Sequence, residues 1–534
     1  MTGKQHVKIL EAMKEKRRPF EPLWQSAYDN TFPILGQNIT DNMSIDIMGN
    51  SKTKTAEIYD ATLKDACRLL ASSLTSGTTP ANSLWFGNEL YGEAPGSAGQ
   101  KYLDKASEVI WKNIHNCNFD DISYLLMLHF VLAGQFCLYI KEGDLEKGQL
   151  YDFVLWHLRS CYFASSKGNG ENDTVYRVFS LTAAQAVNSY TRRTDKVPQK
   201  IQEDAIKKPN EVYWFCQAVY PRTNPKKHEH PIASETFSLA TKTIIRKSGY
   251  EEMPCIIPRW LQVSDSAYCL GPADDALPDH KTLNKAKELV FDNAEMAIAG
   301  MWGMVDDGTL NPKTVVVGAR RIVVVGNKDS IFPLKPGGDF NLAHLEVNTL
   351  QKQIRRIMMS DQLHPEDGPA MTAYETSVKV RRIREILGPM YVGLQSGYLK
   401  PFVGRCFGIA YRKGIIGEPP KEIENSLSKI KFLSPMAKAQ KLEDISAMDR
   451  FEDRLLQKAE AKPDIIDIYD MDKAGKKRAE LEGVPGELLN DEDEIKDIRK
   501  KRVEARQAAM EQEKKDQMQK DIVKGKASVR QQAS

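Results

Sequence analysis

Apolar positions recur at helical spacing through the first quarter of the chain. Residues 6–30 place Ile9, Leu10, Met13, Phe20 and Leu23 broadly on one side and predict one helix. Residues 55–76 predict a second, stopped by the Gly-Thr-Thr-Pro sequence at Gly77–Pro80. Residues 98–116 and 119–133 predict a third and a fourth. From Phe136 the period shortens to that of strands. Leu138–Ile140, Asp152–Leu158, Val175–Ser180 and Glu211–Val219 read as strands separated by turn-rich segments such as Ser166–Asp173. Residues 181–191 read as a short helix capped by Ser180, and Ile256–Ile257 as a short apolar strand. This half is mixed α+β.

The longest pattern runs from Asp275 to about Trp302, after a turn at Gly271–Pro272. Asp274 or Asp275 suits a cap, and Pro278 suits a first turn, where its missing N–H is not needed. Such a helix is roughly 40 Å long at 1.5 Å per residue. A small β unit follows. Val315–Val317 and Ile322–Val325 flank a hairpin signal at Gly318–Arg321, and Ile331–Leu334 adds a third strand. A second helical run, Leu342–Ser360, spans roughly 28 Å. Residues 361–371 form a loop with two prolines and one glycine. A further long helical pattern then runs from Thr372 to about Lys413, bent or broken near Gly388–Pro389 and Lys400–Pro401. Ala437–Lys458 and Met471–Glu482 are further helices. No aromatic residue follows Tyr469, and residues 491–534 are too rich in charge and glutamine to build a core. The 495–523 stretch can be helical if it packs on a partner.

Composition narrows the function classes. Of 534 residues, 41% are hydrophobic and 28% charged, enough for buried cores. The 75 basic and 72 acidic residues leave a net charge of +3, which argues against a surface that grips nucleic acid everywhere. None of the eight cysteines forms a C-x-x-C pair, so buried free thiols are expected. The first eighteen residues are charged and lack the apolar core of a signal peptide. The apolar region Leu125–Ile140 is broken by His129 and Gln135 and is too short for a membrane span.

Catalytic signatures are missing. No phosphate loop, G-x-S-x-G elbow or H-E-x-x-H occurs. His228 and His230 lack a third ligand nearby, Asp306-Asp307-Gly308 reads as a turn, and Asp274 and Asp275 read as caps. No catalytic residue, metal or cofactor is expected. Lys352, Arg355 and Arg356 fall within about one helical turn and form either a phosphate-facing patch or a solvated or inter-subunit face.

The order of parts resembles the portal, or head-to-tail connecting, proteins of short-tailed (podovirus-type) bacteriophages. Five stretches carry the likeness: YDATLKDACRLLASSLTSGTTPANSLWF from Tyr59, TVYRVFSLTAAQAV from Thr174, IPRWLQVSDSAYCLGPADDALPDHKTLNKAKEL from Ile257, LGPMYVGLQSGYLKPFVGRCFGI from Leu387 and LSPMAKAQKLEDISAMDRF from Leu433. They are packing and turn patterns whose weight lies in their number and order, and the resemblance covers nearly the whole chain up to about residue 505.

The resemblance implies an α+β, predominantly α-helical portal fold. Residues 1–273 would be a mixed α+β wing, 274–303 a first stem helix, 304–341 a small α/β clip and 342–360 a second stem helix. Residues 361–372 would be a tunnel loop, 373–435 a long bent helix and wing return, 436–505 a crown, and 506–534 a charged tail, either a helical barrel or disordered. It implies a non-enzymatic ring of about twelve subunits at one capsid vertex of the virion, assembled in the host bacterial cytoplasm. That ring would conduct double-stranded DNA during genome packaging and ejection. Its partners would be the terminase packaging motor, the tail adaptor, and the major capsid and scaffolding proteins. DNA-channel residues would be Lys352, Arg355, Arg356, Leu363, His364, Pro365, Glu366, Asp367, Gly368 and Pro369. Clip residues meeting motor or adaptor would be Val315, Val317, Arg320, Arg321, Val323 and Lys328. Low net charge suits a channel that must not hold phosphates tightly, and a closed ring needs two different complementary surfaces per subunit. The alternatives are another virion structural or internal ejection protein, or a hydrolase with a dispersed triad.

Overall fold

The computed structural model describes residues 1–41, 43–44, 51–90, 98–167, 170–226, 228–261, 265–299, 301–304, 331–334, 340–363, 388, 390–420, 428–432, 445, 448–455, 457–458, 468–482, 495–505 and 507. Two compact units emerge. One comprises residues 1–82 with 113–412, the other 83–112 with 413–534.

The first unit opens with α1 (Gly3–Arg17), α2 (Glu21–Asp29), α3 (Pro33–Gly36), α4 (Ser51–Ala56) and α5 (Thr62–Thr78). The single helix expected over 6–30 is therefore two. Pro19, just past α1, and Pro22, in the first turn of α2, have no N–H to donate to the carbonyls of Glu15 and Arg18, so the helical ladder stops between them. Arg17 fixes the break. It is buried, and its Nη1 donates to the carbonyls of Leu158, Arg159 and Cys161 at 2.8, 3.1 and 2.8 Å, while its guanidinium lies 3.9 Å over the Tyr162 ring. The helix expected from residue 55 begins instead at Thr62, because Asp60 Oδ1 accepts the Thr62 N–H at 2.7 Å and ends the preceding turn.

After β1 (Phe86–Leu90) and α6 (Ala98–Asn116), α7 (Phe119–Ala133) ends at Gly134, whose φ of +75° closes the helix. The strands are β2 (Cys137–Glu142), β3 (Tyr151–Trp156), β4 (Cys161–Ala164), β5 (Thr174–Thr182), β6 (Val212–Pro221), β7 (Ile232–Ser238), β8 (Ile244–Tyr250) and β9 (Cys255–Ile256). They form an antiparallel meander, β4-β5-β6-β7-β8, and a three-stranded sheet, β3-β2-β9. Between β5 and β6 lie α8 (Ala183–Ser189) and α9 (Gln199–Lys207). The cap of α8 is Thr182, not Ser180. Its Oγ1 accepts from Gln185 N, and Gln185 Oε1 accepts from Thr182 N, a reciprocal box that Ser180 cannot form from inside β5.

Both faces of the meander are covered. Leu10 and Met13 of α1 pack with Tyr176, Val178, Cys216, Ala218 and Phe237. On the other face, Ala183, Ala186 and Ile201 pack with Tyr213, Phe215 and Ile245. Double coverage explains why VYWFCQAVY in β6 is nearly continuous in apolar residues. His6 is buried under α1, bonded to Tyr176 Oη and Glu235 Oε2 at 2.7 Å each, so its ring reaches the sheet with both nitrogens satisfied.

The returning helix Lys400–Arg412 closes this unit. Of the bend or break expected at Lys400–Pro401, the structure shows a local distortion and no break. A π turn over Gln395–Leu399 widens the helix, and Lys400 N donates to the Gln395 carbonyl, so the chain runs on past Pro401. Phe402 stacks on Phe153. Glu252 accepts from Arg405 at 2.7 Å and from Arg412 Nη2 at 2.9 Å. Gly408 lies between them because a Cβ there would stand 2.3 Å from Glu252 Oε1. In the second unit, β1 pairs antiparallel with β12 (Ser428–Phe432), and the helix Met471–Glu482 forms as expected.

All eight cysteines are free thiols, and all but Cys117 are buried. The histidines in the core have a consequence for pH. Tyr28 Oη bonds His129 Nδ1, and the His129 and His157 rings meet edge to face at 5.0 Å. Burial, then the neighbouring His157, pushes His129 well below its ordinary value, and burial takes His157 down to about 4. The neutral forms are therefore favoured by folding, so their stabilisation is complete above about pH 6.5 and is lost as pH falls toward 4. A denaturant midpoint that holds above pH 6.5 and drops between 6.5 and 4, with a shallower drop for His157→Gln, is the expected result. A flat profile would show that both rings protonate freely in the folded chain.

Candidate functional site

Two long helices and a strand pair form one hairpin. α10 (Pro272–Ala299) leads into β10 (Met301–Met304), which pairs antiparallel with β11 (Ile331–Leu334), Met301 opposite Leu334 and Met304 opposite Ile331. α11 (Phe340–Ile357) returns beside α10, followed by the short α12 (Ser360–Leu363). The 28 residues of α10 span roughly 42 Å.

Several expectations change here. The helix starts at Pro272, so Pro278 lies inside it and costs one hydrogen bond, and Asp274 and Asp275 sit in its first turn instead of capping it. Burial, then the adjacent Asp275, raises the Asp274 pKa. Gly271 before it is required by close approach. A Cβ there would stand 2.4 Å from the Val131 carbonyl and 2.7 Å from Gly134 N. Trp302 belongs to a strand because pairing with β11 outweighs its continuation of the helical pattern. Asp361, Gln362 and Leu363, expected to open a loop, are helical, and the rest of that expected loop lies outside the described residues.

The base of the hairpin is held by one buried carboxylate. Asp60 is 2% exposed. Its Oδ2 receives Lys287 Nζ of α10 at 2.6 Å and Gln351 Nε2 of α11 at 2.9 Å, while Oδ1 receives the Thr62 N–H of α5. Asn284, one turn before Lys287, accepts from Tyr59 N and Asp60 N and donates to the Glu57 carbonyl at 2.8 Å. Burial works to raise the Asp60 pKa, but the bonds from Lys287, Thr62 and Gln351 outweigh it and hold the group at about 2. His280, one turn earlier again, is fully buried and pushed down by burial, with Asp60 acting against the shift. α11 contributes a stripe of Val347, Leu350 and Ile354 to the interior, and Met358 just past its end is buried with them.

Beside this node lies an open groove of about 1230 Å³ between α5, α10 and α11. Its lining alternates in sign, with Asp65, Arg68, Lys287, Arg355 and Asp361, and includes Tyr124. The three expected channel cations are thereby separated. Arg355 shares a face with Gln351 and lines the groove, while Lys352 and Arg356, roughly 60° and 100° further round α11, are exposed. Of the remaining expected residues, Leu363 ends α12, and His364, Pro365, Glu366, Asp367, Gly368 and Pro369 lie outside the described residues. So do Val315, Val317, Arg320, Arg321, Val323 and Lys328.

Among the described residues no group of three or more His, Cys, Asp or Glu could hold a metal, and no helix is long and apolar enough to cross a membrane. His230 bonds Glu251 at 2.6 Å, and His228 is exposed. Sequence reading missed Asp60, Asn284, Lys287 and Gln351. Only the Asp60-Ala61-Thr62 cap signal was visible locally, and the helix pattern had been started too early to use it.

Residues 4–489 match the family described as bacteriophage head to tail connecting protein. The chain belongs to this family. Its relatives include the "Probable portal protein" of Bordetella phage BPP-1, 23% identical over 547 residues that cover 93% of this chain and 91% of the relative. The "Portal protein" of Salmonella phage epsilon15 is 23% identical over 534 residues, covering 94% and 91%. Among solved structures, a chain from the neck of an empty GTA particle aligns with a TM-score of 0.35 at 12% identity, covering 77% of this chain and 90% of the other.

The node in this connector-family chain is testable by a double-mutant cycle. Asp60→Asn and Lys287→Met should each destabilise the fold by about 1–3 kcal/mol, and together by clearly less than their sum. Additive effects in chemical denaturation would show that the pair does not couple α5 to α10.

Proposed function

We propose that this chain is a portal subunit that assembles into a ring of about twelve copies at one capsid vertex and conducts double-stranded DNA during packaging and ejection. The observation that carries the reading is the family match over nearly the whole chain. The helix–strand–strand–helix hairpin, which suits the wall of a channel, supports it. In this reading residues 1–273 are the wing, 274–303 and 342–360 the stem, 304–341 the clip, 361–372 the tunnel loop, 373–435 the wing return, 436–505 the crown and 506–534 the tail. The β1–β12 pairing supports a return that rejoins the wing, because it links residues 86–90 to 428–432. Exposed apolar side chains on both stem helices, Leu289 and Phe291 on α10 and Leu345 on α11, support burial against a second copy.

The role is structural, with no chemical step. The ring meets the packaging motor and then the tail adaptor at the clip, and the capsid and scaffolding proteins at the wing. Its place is the capsid vertex, after assembly in the host cytoplasm. Lys352 and Arg356 face the bore and brush passing phosphates, whereas Arg355 holds the groove.

Purified protein should give rings with a central hole in negative stain, at a mass near about twelve times the 60.3 kDa chain. Monomer at every salt and concentration in mass photometry would sink the reading. Lys352→Gln/Arg356→Gln should leave ring mass unchanged and alter the DNA packaged per particle. Ring loss with this pair would instead place both residues between subunits.

A further inference from the structure

Residues 495–505, IKDIRKKRVEA, form a helix in the second unit, and every residue from Lys496 to Ala505 is exposed. Lys496, Arg499, Lys500, Lys501 and Arg502 against Asp497 and Glu504 leave +3 in eleven residues, as much as the whole chain carries. At 3.6 residues per turn, the four consecutive cations 499–502 spread over roughly 300° of the helix circumference. Arg499 ties one side down, bonding Asp472 at 2.6 Å in the first turn of the helix Met471–Glu482. Lys500, Lys501 and Arg502 fan over the remaining directions, all exposed.

Among the described residues of this helix nothing resembles a protein-docking seam. Its exposed apolar side chains, Ile498 and Val503, lie about 140° apart around the axis, too far to form one stripe. Neighbouring like charges weaken this helix. A polyanion removes that repulsion. The major groove of a duplex is about 12 Å wide and admits a helix between two rows of phosphates, which suits cations on nearly every side. We propose that residues 495–505 bind double-stranded DNA through its phosphates, without sequence preference. The portal reading supplies the DNA, but the binding itself can be tested without it.

The experiment titrates the full-length protein, in its assembled state, into a labelled duplex of about 30 base pairs between about 50 and 300 mM salt, followed by fluorescence anisotropy. Affinity should fall steeply with salt. Lys500→Gln/Lys501→Gln/Arg502→Gln should weaken binding by at least about tenfold and reduce the log–log salt slope by about 3. The substituted side chains are exposed, so the melting temperature should not move. An unchanged slope and affinity would overturn the proposal. So would a loss seen only with Lys352→Gln/Arg356→Gln, which would place the contact on α11. If the triple variant lost assembled mass while still binding DNA, the helix would be a contact between copies instead. A chain that stays monomeric yet binds DNA through residues 500–502 would sink the portal reading and leave this inference standing.

Discussion

A carboxylate taken out of water must be answered by donors, and Asp60 draws its donors from three different elements. The Thr62 N–H belongs to α5, Lys287 to α10 and Gln351 to α11. None can move far without leaving a buried charge incompletely satisfied, a cost of several kcal/mol. The base of the hairpin is therefore held in one geometry relative to α5. Lys287 lies twelve residues before the end of α10, roughly 18 Å at helical rise. Small rotations at the node thus become larger displacements where β10 and β11 meet.

The other buried polar groups of the first unit work at joins of the same kind. Arg17 fills the carbonyls at the start of β4 from the end of α1, and Glu252 receives two arginines from the returning helix. His6 reaches Glu235 in the middle of the meander. Apolar layers on both faces of the sheet supply the non-directional drive, while these bonds choose which helix end meets which strand. Among the described residues, the hairpin beyond its base shows no such double coverage. Leu289, Phe291 and Leu345 stay exposed, as suits an element whose remaining faces are completed by another molecule.

Legibility followed the period of the pattern. α6 and α7 fell where their apolar spacing placed them, and β2, β3, β5 and β6 differed only at their ends. β7 and β8 were not seen, since sequences such as ASETFS and IIRKSGY hold few apolar residues and owe their pairing to neighbours. The break between α1 and α2 was signalled by Pro19 and Pro22, against an apolar stripe that continues across it. At the site, cations on α11 were visible as a cluster, but their division between groove and solvent was not. That division depends on which face α5 covers.

The amino-acid order alone determined the succession of parts: a mixed α+β body, a long helix, a strand-bearing excursion and a second helix returning. Hydrophobic period and turn residues act over a few positions, so they are written locally. Only the tertiary structure decided that Asp60, Asn284, Lys287 and Gln351 form one node. Asp60 lies more than two hundred residues from the other three, and each looks like an ordinary polar position until burial removes the water that would otherwise satisfy it.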